Sequence, residues 1–309
     1  MGGLFKLSLE LFKLRLEGQP PVVRSVVREY PPAMPMEPLT EIRFAYQLHY
    51  DIGFRTHRRK VIFSSAARVD ACSSRLAEVC ERHGYHLLEE AVYADHLRLA
   101  LSLRPSDTIS KTLQKLKGNL SGLLGPEFRV QPPMWADGFL GRSVGRVRID
   151  AVKKYLENQA EHHGYNCRSH PPVFRYRAEQ PKALAAAHTV FDLSHHIVLA
   201  TRYRCGMFGS RIGEELLRYW LAVAHKRGFA IDAATVLPDH VHLIVRIVPK
   251  MSVESCALAL MNNGQSWYAK HFSSLLVGAE VDRLWQPSAY VGTCGELTTA
   301  LLKSFLRTD

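Results

Sequence analysis

The hydrophobic and polar positions in the second half of the chain predict a domain in which strands and helices are mixed. Apolar residues recur at helical spacing in some segments and form short apolar runs in others. The pattern predicts strands at 191–201, 230–237 and 240–248, and helices at 212–227, 253–272 and 297–306. Consecutive strands joined by a turn, with helices between strands, are typical of an α+β domain with a mainly antiparallel sheet.

The same pattern occurs earlier in the chain, which indicates a tandem duplication. The string Asp-His-Leu-Arg at 95–98 matches Asp-His-Val-His at 239–242, an offset of 144 residues. Trp135 matches Trp285 at an offset of 150 residues. Each copy is therefore predicted to follow the order strand, helix, strand, strand, helix, loop, helix.

The duplication divides the chain into four parts. Copy one is predicted at about 41–165 and copy two at about 188–309. Residues 1–40 form an N-terminal extension, and the Pro-containing residues 166–187 are predicted to be a linker between the copies.

Composition and charge limit the classes of protein to which the chain can belong. The 309 residues are 47% hydrophobic and 22% charged, which excludes a disordered or collagen-like chain. No apolar run reaches the roughly 18–20 residues that a membrane span needs. Six cysteines without a CxxC pair are typical of reduced thiols in a cytoplasmic protein. The net charge of +11 is compatible with a nucleic-acid partner but does not establish one.

The last predicted strand of copy two carries a first candidate site. Because strand side chains alternate, His240 and His242 share one face while the intervening apolar residues form the core face. Two imidazoles spaced in this way can hold one divalent cation; a pair of surface or hydrogen-bonded histidines is the alternative. Copy one has His96 and Arg98 at these positions. Arginine offers no lone pair to a metal, although it can meet a phosphate.

The last predicted helix of copy one carries a second candidate site. Tyr155 and Gln159 are four residues apart and therefore share a helix face. A tyrosine hydroxyl beside a metal can act as a nucleophile, and an amide oxygen can complete a metal shell. Taken alone, Tyr155 is more simply explained as a half-buried packing residue. Copy two has Phe305 and Asp309 at the two positions.

Four motifs in the two copies carry a resemblance to a known family. They are Pro-Asp-His-Val-His-Leu at 238–243, Thr-Arg-Tyr-Arg at 201–204, Leu-Lys-Gly-Asn at 116–119 and Tyr-Leu-Glu-Asn-Gln at 155–159. Together they resemble the single-tyrosine HUH transposases, which are TnpA-like. The resemblance implies an α+β fold of two tandem ferredoxin-like HUH domains, each an antiparallel sheet plus helices, forming an intramolecular pseudo-dimer. Proteins of this family are obligate homodimers that cleave single-stranded DNA beside hairpins and form a 5′-phosphotyrosine link.

The resemblance also implies one composite active site shared between the copies. In the family, the histidine pair of one subunit works with the tyrosine and glutamine of the other subunit's last helix. Copy two keeps His240 and His242 but lacks the tyrosine, whereas copy one keeps Tyr155 and Gln159 but lacks the histidine pair. Crossing the copies therefore leaves one complete site. The second, degenerate site combines His96, Arg98, Phe305 and Asp309.

The implied chemistry is metal-dependent cleavage and rejoining of single-stranded DNA. Mg²⁺ or Mn²⁺ held by His240, His242 and Gln159 would polarise the scissile phosphate, and Tyr155 would attack it in line. The expected partner is single-stranded DNA with hairpins, with no membrane. The chain is expected to act as a monomeric pseudo-dimer, and further self-association is left open. The basic residues expected at the DNA are Arg55, Arg58, Arg59, Lys60, Lys111, Lys115, Lys117, Arg202 and Arg204.

Two other functions stay open at this point. The chain could be a non-catalytic protein, derived from a transposase, that binds DNA hairpins without turnover. It could instead be a hydrolytic metal enzyme in which water is the nucleophile. The sequence also leaves open whether the activity serves a mobile element or a domesticated relative of one.

Overall fold

The computed structural model describes residues 36–145 and 174–295. Copy one contains β1 (Arg43–Gln47), β2 (His49–Arg55), α1 (Ala66–His83), β3 (His86–Val92), β4 (His96–Ser102), α2 (Ile109–Phe128) and β5 (Phe139–Val144). The rest contains β6 (Phe174–Arg177), β7 (Thr189–Asp192), β8 (Ser194–Thr201), α3 (Ser210–Arg227), β9 (Ala230–Leu237), β10 (His240–Arg246), α4 (Val253–Gly278) and β11 (Trp285–Cys294). The predicted α+β class is confirmed. None of the helices in the described ranges is long and apolar enough to cross a membrane.

Three of the four helices in the described ranges begin at a hydroxyl side chain that caps the first turn. Ser65, Thr108 and Ser252 each accept the backbone N–H of the residue three positions later. The last of these helices extends beyond its predicted end at residue 272. Phe272 has non-helical dihedral angles (φ −138°, ψ 33°), so the pattern changes where the helix is kinked and not where it ends.

Each copy contains a strand, β5 or β11, that the hydrophobic pattern did not predict. β5 and β11 lie in the segments predicted as loops between the last two helices. The sequence of β11 contains Pro287 and many small or polar residues, so it shows no strand-like alternation. Its strand conformation comes from pairing, because β11 lies between β1 and β8 in the sheet. The predicted strand at 191–201 is also divided, at Leu193, into β7 and β8.

The first strand of each copy pairs with the last strand of the other copy. The described residues form a six-stranded sheet of order β1-β11-β8-β10-β9-β6 and a five-stranded sheet of order β3-β4-β2-β5-β7. β1 is parallel to β11, with Phe44 opposite Ala289, and β7 is parallel to β5, with Thr189 opposite Phe139. By the sequence offset between the copies, β1 is the counterpart of β7 and β5 is the counterpart of β11. The copies are therefore joined by a reciprocal strand exchange with approximate twofold symmetry.

Hydroxyl groups at equivalent positions join the two sheets at the exchange. The Ser143 hydroxyl donates to the carbonyl of Cys294 in β11 (2.5 Å), and the Thr293 hydroxyl donates to the carbonyl of Val144 in β5 (2.7 Å). Both hydroxyls are buried or half-buried between the copies. Each hydrogen bond crosses from one copy to the other, so the boundary is specified by polar as well as apolar contacts.

Each of the two last strands ends at a glycine that the other copy approaches closely. The backbone N–H of Gly145 donates to the carbonyl of Gly295 (3.1 Å). A β-carbon on Gly145 would lie 2.3 Å from the carbonyl oxygen of Thr293, and one on Gly295 would lie 2.6 Å from that of Ser143. Neither position can therefore carry a side chain without displacing the backbone. The chain leaves β5 and β11 side by side at the copy boundary.

A buried histidine lies at this boundary and makes stability depend on pH. The Nε2 atom of His195 is 2.8 Å from the hydroxyl of Tyr50, its counterpart in copy one, and burial lowers the pKa of His195 to about 4. The unfolded chain binds a proton here below about pH 6.5, whereas the folded protein excludes it until about pH 4. Protonation therefore favours unfolding in this window, so stability is lost as the pH falls.

We expect His195→Gln to remove this part of the pH dependence while keeping a polar partner for Tyr50. The histidine makes the free energy of unfolding about 2 kcal/mol lower at pH 5 than at pH 7. Urea unfolding of both proteins at the two pH values measures the difference. If the variant loses as much stability on acidification as the unsubstituted protein, the assignment to His195 is wrong.

Candidate active site

The two histidines of β10 lie together in a buried position. His240 and His242 are each at most 2% exposed, and their ring centroids are 5.0 Å apart. Their position on one face of the strand agrees with the alternation predicted from sequence. Val241 and Leu243 lie on the opposite face in the hydrophobic core. Both faces of the strand are buried at this point.

A carboxylate and an arginine hold the first histidine. Nδ1 of His240 is 2.6 Å from an Asp239 carboxylate oxygen, and Nε of Arg204 donates to the other oxygen (2.8 Å). Burial would raise the pKa of Asp239, but the hydrogen bond from His240 and the nearby charges outweigh burial, so the pKa is lowered. Because the carboxylate is ionised, Nδ1 of His240 is the donor, and Nε2 is the nitrogen that keeps a lone pair.

A third histidine orients the second. Nε2 of His196, on the neighbouring strand β8, is 3.1 Å from Nδ1 of His242, and the two rings are stacked with centroids 5.3 Å apart. Burial lowers the pKa of His196 to about 4, so this ring is neutral at neutral pH. With Nδ1 of His242 engaged, Nε2 is the nitrogen that this ring can offer to a ligand.

The geometry of the pair fits one divalent cation. Two imidazoles that share an ion at about 2.1 Å place their ring centroids about 5 Å apart, which matches the separation of His240 and His242. In the described ranges, no group of three or more His, Cys, Asp or Glu side chains could hold a metal. The pair therefore needs a ligand of another type or from elsewhere in the chain.

Copy one retains the surroundings of the first histidine. Nδ1 of His96 is 2.7 Å from an Asp95 carboxylate oxygen, and Nε of Arg59 donates to the other oxygen (3.1 Å). As in copy two, burial would raise the pKa of Asp95, but the hydrogen bond from His96 and the charges of His96 and Arg59 lower it overall. The arrangement of arginine, aspartate and histidine is thus common to both copies.

Copy one has replaced the second histidine and its partner together. Arg98 occupies the position of His242, and Asp51 occupies that of His196. The Arg98 guanidinium donates to the buried Asp51 carboxylate (2.8 Å). An imidazole pair that could orient a metal ligand has become an ion pair. Whether Arg98 also meets a phosphate stays a prediction.

A short turn with an exposed central residue lies next to the first histidine of each copy, His96 or His240. Thr56 and Thr201 begin the two 3-10 turns, which span His57–Arg59 and Arg202–Arg204. The central residues, Arg58 and Tyr203, have φ angles of 52° and 53° and project into solvent. A positive φ is uncommon for such residues, so the turns hold these side chains in a strained backbone conformation. The Arg202 guanidinium lies 4.3 Å from the Tyr203 ring centroid.

The basic residues predicted at the DNA occupy different environments. Arg58, Lys60, Lys111 and Lys115 are exposed, and Arg55 is half-buried. Arg59, Arg202 and Arg204 pair with carboxylates of Asp95, Asp282 and Asp239. Lys117 donates to the carbonyls of Ala136 and Gly138 (2.8 and 2.7 Å), and burial lowers its pKa to about 8. Lys117 is therefore not part of the exposed basic face on which Lys111 and Lys115 lie.

The residues predicted to complete the two sites lie outside the described residues. These are Tyr155 and Gln159 in copy one and Phe305 and Asp309 in copy two. The composite site consequently stays a prediction. What the structure adds is that the two chain segments leading to them start from adjacent glycines at the copy boundary.

Sequence reasoning missed the roles of His196 and Asp51. Both are buried, and each contacts the site-facing residue of the neighbouring strand. The signal that could have found them is paired substitution between the copies. Copy two has histidine at 196 and at 242, whereas copy one has Asp51 and Arg98 at the equivalent positions.

Comparison with known proteins identifies a family over both copies. A family model described as Transposase IS200 like matches residues 44–159 and 189–308. The ISDra2 transposase TnpA of Deinococcus radiodurans is 23% identical over 120 residues, which are 39% of this chain and 86% of that protein. The transposase for insertion sequence element IS200 of Salmonella typhimurium is 26% identical over 121 residues, which are 39% of this chain and 79% of that protein.

A solved structure also resembles one part of the chain. A proposed transposase from Deinococcus radiodurans R1 is 25% identical, and the match covers 40% of this chain and 95% of that one, with a TM-score of 0.34. The two curated transposases thus match along most of their own length and along about two-fifths of this chain, which is about the length of one copy.

Proposed function

Because the chain belongs to the IS200-like transposase family, we propose that it cleaves and rejoins single-stranded DNA in one composite site built from both copies. The observation that carries the proposal is the paired imidazoles of copy two, held by Asp239 and His196 so that each offers one nitrogen to a ligand. The equivalent positions of copy one hold His96 and Arg98. The reciprocal strand exchange supports the proposal that a single chain takes the place of the dimer that the family resemblance implies.

In this proposal the nucleophile comes from copy one. The Tyr155 hydroxyl oxygen forms a bond to phosphorus while the bond from phosphorus to the 3′ oxygen of the preceding nucleotide breaks. The phenol loses one proton and the released 3′-hydroxyl gains one, so the step balances. The 5′-phosphotyrosine ester conserves the bond energy, and a 3′-hydroxyl can reverse the step and rejoin the strand.

The residues of copy two, with Gln159, prepare the phosphate for this attack. His240, His242 and Gln159 would hold Mg²⁺ or Mn²⁺, which supplies Lewis-acid polarisation of the phosphate when bound. Asp239 fixes the ring orientation of His240, and His196 fixes that of His242. Neutral imidazoles and an amide add no negative charge, which suits an anionic substrate.

The experiment is cleavage of a hairpin-bearing single-stranded oligonucleotide in the presence of Mn²⁺. We expect a protein–DNA adduct that survives denaturation, a released strand with a free 3′-hydroxyl, and loss of both on chelation. Binding without an adduct under any divalent ion would favour a non-catalytic hairpin-binding protein. A product with a free 5′-phosphate would instead favour a hydrolytic site with water as nucleophile.

We predict that substitutions of the two exposed turn residues, Tyr203 and Arg58, have separable effects on DNA binding. We expect Tyr203→Asn to weaken single-strand binding roughly 10- to 100-fold through lost base stacking, with no change in salt dependence. The matched change Arg58→Asn should reduce the slope of log affinity against log salt by about 0.7. Asparagine tolerates the positive φ at both sites. Fluorescence anisotropy across a salt series measures both effects, and equal slopes in both variants would contradict the assignment.

A further inference from the structure

Among the residues that the structure describes, one strand edge in copy one is unpaired where its counterpart in copy two is covered. β3 lies at the outer edge of the five-stranded sheet formed by the described residues, and its residues are exposed or half-buried. Its counterpart β9 is buried along its whole length, because β6 pairs antiparallel with its outer edge. Leu88, at the bulge in β3, is 42% exposed. An open strand edge with an exposed leucine is a site for pairing with another strand.

The N-terminal extension repeats the sequence of the strand that covers β9. Residues 171–175 read Pro-Pro-Val-Phe-Arg, and β6 begins at the phenylalanine, Phe174. Residues 20–24 read Pro-Pro-Val-Val-Arg. The two strings differ at one position, where Val23 corresponds to Phe174. The duplication therefore extends into the N-terminal extension, ahead of copy one.

The helix residues that pack at this edge compensate for the difference in volume between Phe174 and Val23. Phe174 packs against Gly213 of α3, where an added β-carbon would lie 3.3 Å from the phenylalanine β-carbon. The equivalent residue of α1 is the half-buried Val69. Copy two thus combines a large strand residue with a helix residue that has no side chain. Val23 opposite Val69 would divide a similar volume between two valines.

The segment between residue 26 and β1 is longer than its counterpart in copy two. Eleven residues, 178–188, connect β6 at the outer edge of one sheet to β7 in the other. Sixteen residues, 27–42, lie between Val26 and the start of β1. The connection in copy one is therefore five residues longer than the one in copy two. Its described part, residues 36–42, is held to α4 by hydrogen bonds between Leu39 and Asn262.

We propose that residues 22–26 form a strand on the outer edge of β3, antiparallel to it, as β6 does on β9. The pairing of β6 with β9 sets the register, because Phe174 lies opposite Val236 and Arg175 lies opposite Thr235. Transferred to copy one, Val23 lies opposite Val92 and Arg24 lies opposite Ala91. Arg24 then shares a face with Glu89, so opposite charges are neighbours across the strands.

Engineered disulfides in the full chain test this register. We expect Arg24→Cys with Ala91→Cys to form an intrachain link, as Arg175→Cys with Thr235→Cys should in copy two, where the pairing is already seen. Arg24→Cys with Leu87→Cys, which is out of register, should not link. Peptide mapping after oxidation identifies the bond. A link at Leu87, a link only between two chains, or no link while the copy-two pair forms would overturn the proposal.

Hydrogen exchange of the unsubstituted chain gives a second measurement that does not depend on folding of the variants. If residues 22–26 pair with β3, the amides of 86–92 exchange as slowly as those of β9. If the outer edge is open, about half of the β3 amides exchange at the earliest times, because alternate N–H groups of an edge strand face solvent. That second result would also overturn the proposal.

Discussion

Tyr155→Phe should abolish the covalent protein–DNA adduct while leaving DNA binding intact. Phenylalanine keeps the packing volume of tyrosine but has no oxygen to bond to phosphorus, so the step with Tyr155 as nucleophile cannot occur. We expect adduct formation to fall by roughly 10³-fold or more, with the affinity for the hairpin oligonucleotide changed less than about twofold. Denaturing gels with a labelled oligonucleotide measure the adduct, and anisotropy measures the affinity.

A tyrosine in the degenerate site supplies the matched control. Tyr93 stacks on His96 with ring centroids 4.3 Å apart, so Tyr93→Phe removes a hydroxyl beside the copy-one histidine. This variant should form the adduct at the unsubstituted rate.

An adduct that persists in Tyr155→Phe would end the proposal that copy one supplies the nucleophile. Mixing Tyr155→Phe with His240→Ala chains should restore no adduct if each composite site forms within one chain.

Substitution of the copy-two histidines should remove both metal binding and cleavage, whereas the equivalent change in copy one should not. We expect His240→Ala or His242→Ala to lower the adduct yield by roughly 10³-fold and to eliminate measurable Mn²⁺ binding, because each removes one of the two imidazole ligands. His96→Ala is the matched control, because His96 has the same aspartate and arginine neighbours without a second imidazole. It should change both quantities less than about twofold.

The metal readout keeps this prediction separate from DNA binding. Titration of the full chain with Mn²⁺, followed by electron paramagnetic resonance, counts bound ions without any substrate. His196→Ala should weaken Mn²⁺ binding by roughly 10- to 100-fold, because the ring that orients His242 is lost while both imidazole ligands remain. Equal loss of Mn²⁺ binding in His96→Ala and His240→Ala would contradict a single metal site in copy two.

The two copies show how one half of a duplicated site can exchange its imidazole pair for other residues and keep its fold. The first histidine retains its aspartate and arginine in both copies. The second imidazole and its partner have been exchanged for Arg98 and Asp51, which form an ion pair at the equivalent positions. The buried Asp51 carboxylate without that guanidinium would be strongly destabilising, so the two changes depend on one another.

The amino-acid sequence by itself determined the local features of this protein. Apolar periodicity places the helices and the hairpin of β9 and β10, and alternation places His240 and His242 on one face. The repeat of motifs shows the duplication. These features were predictable because each depends on neighbours a few residues away in the chain.

Only the tertiary structure decided how the halves are joined and how the histidines are held. β11 is a strand because it is paired on both sides, and β1 and β7 belong to the sheets of the opposite copies. His196 orients His242 from a neighbouring strand 46 residues away in sequence. Such pairings join distant parts of the chain through backbone hydrogen bonds and buried contacts, and no local pattern of residue types encodes which partners meet.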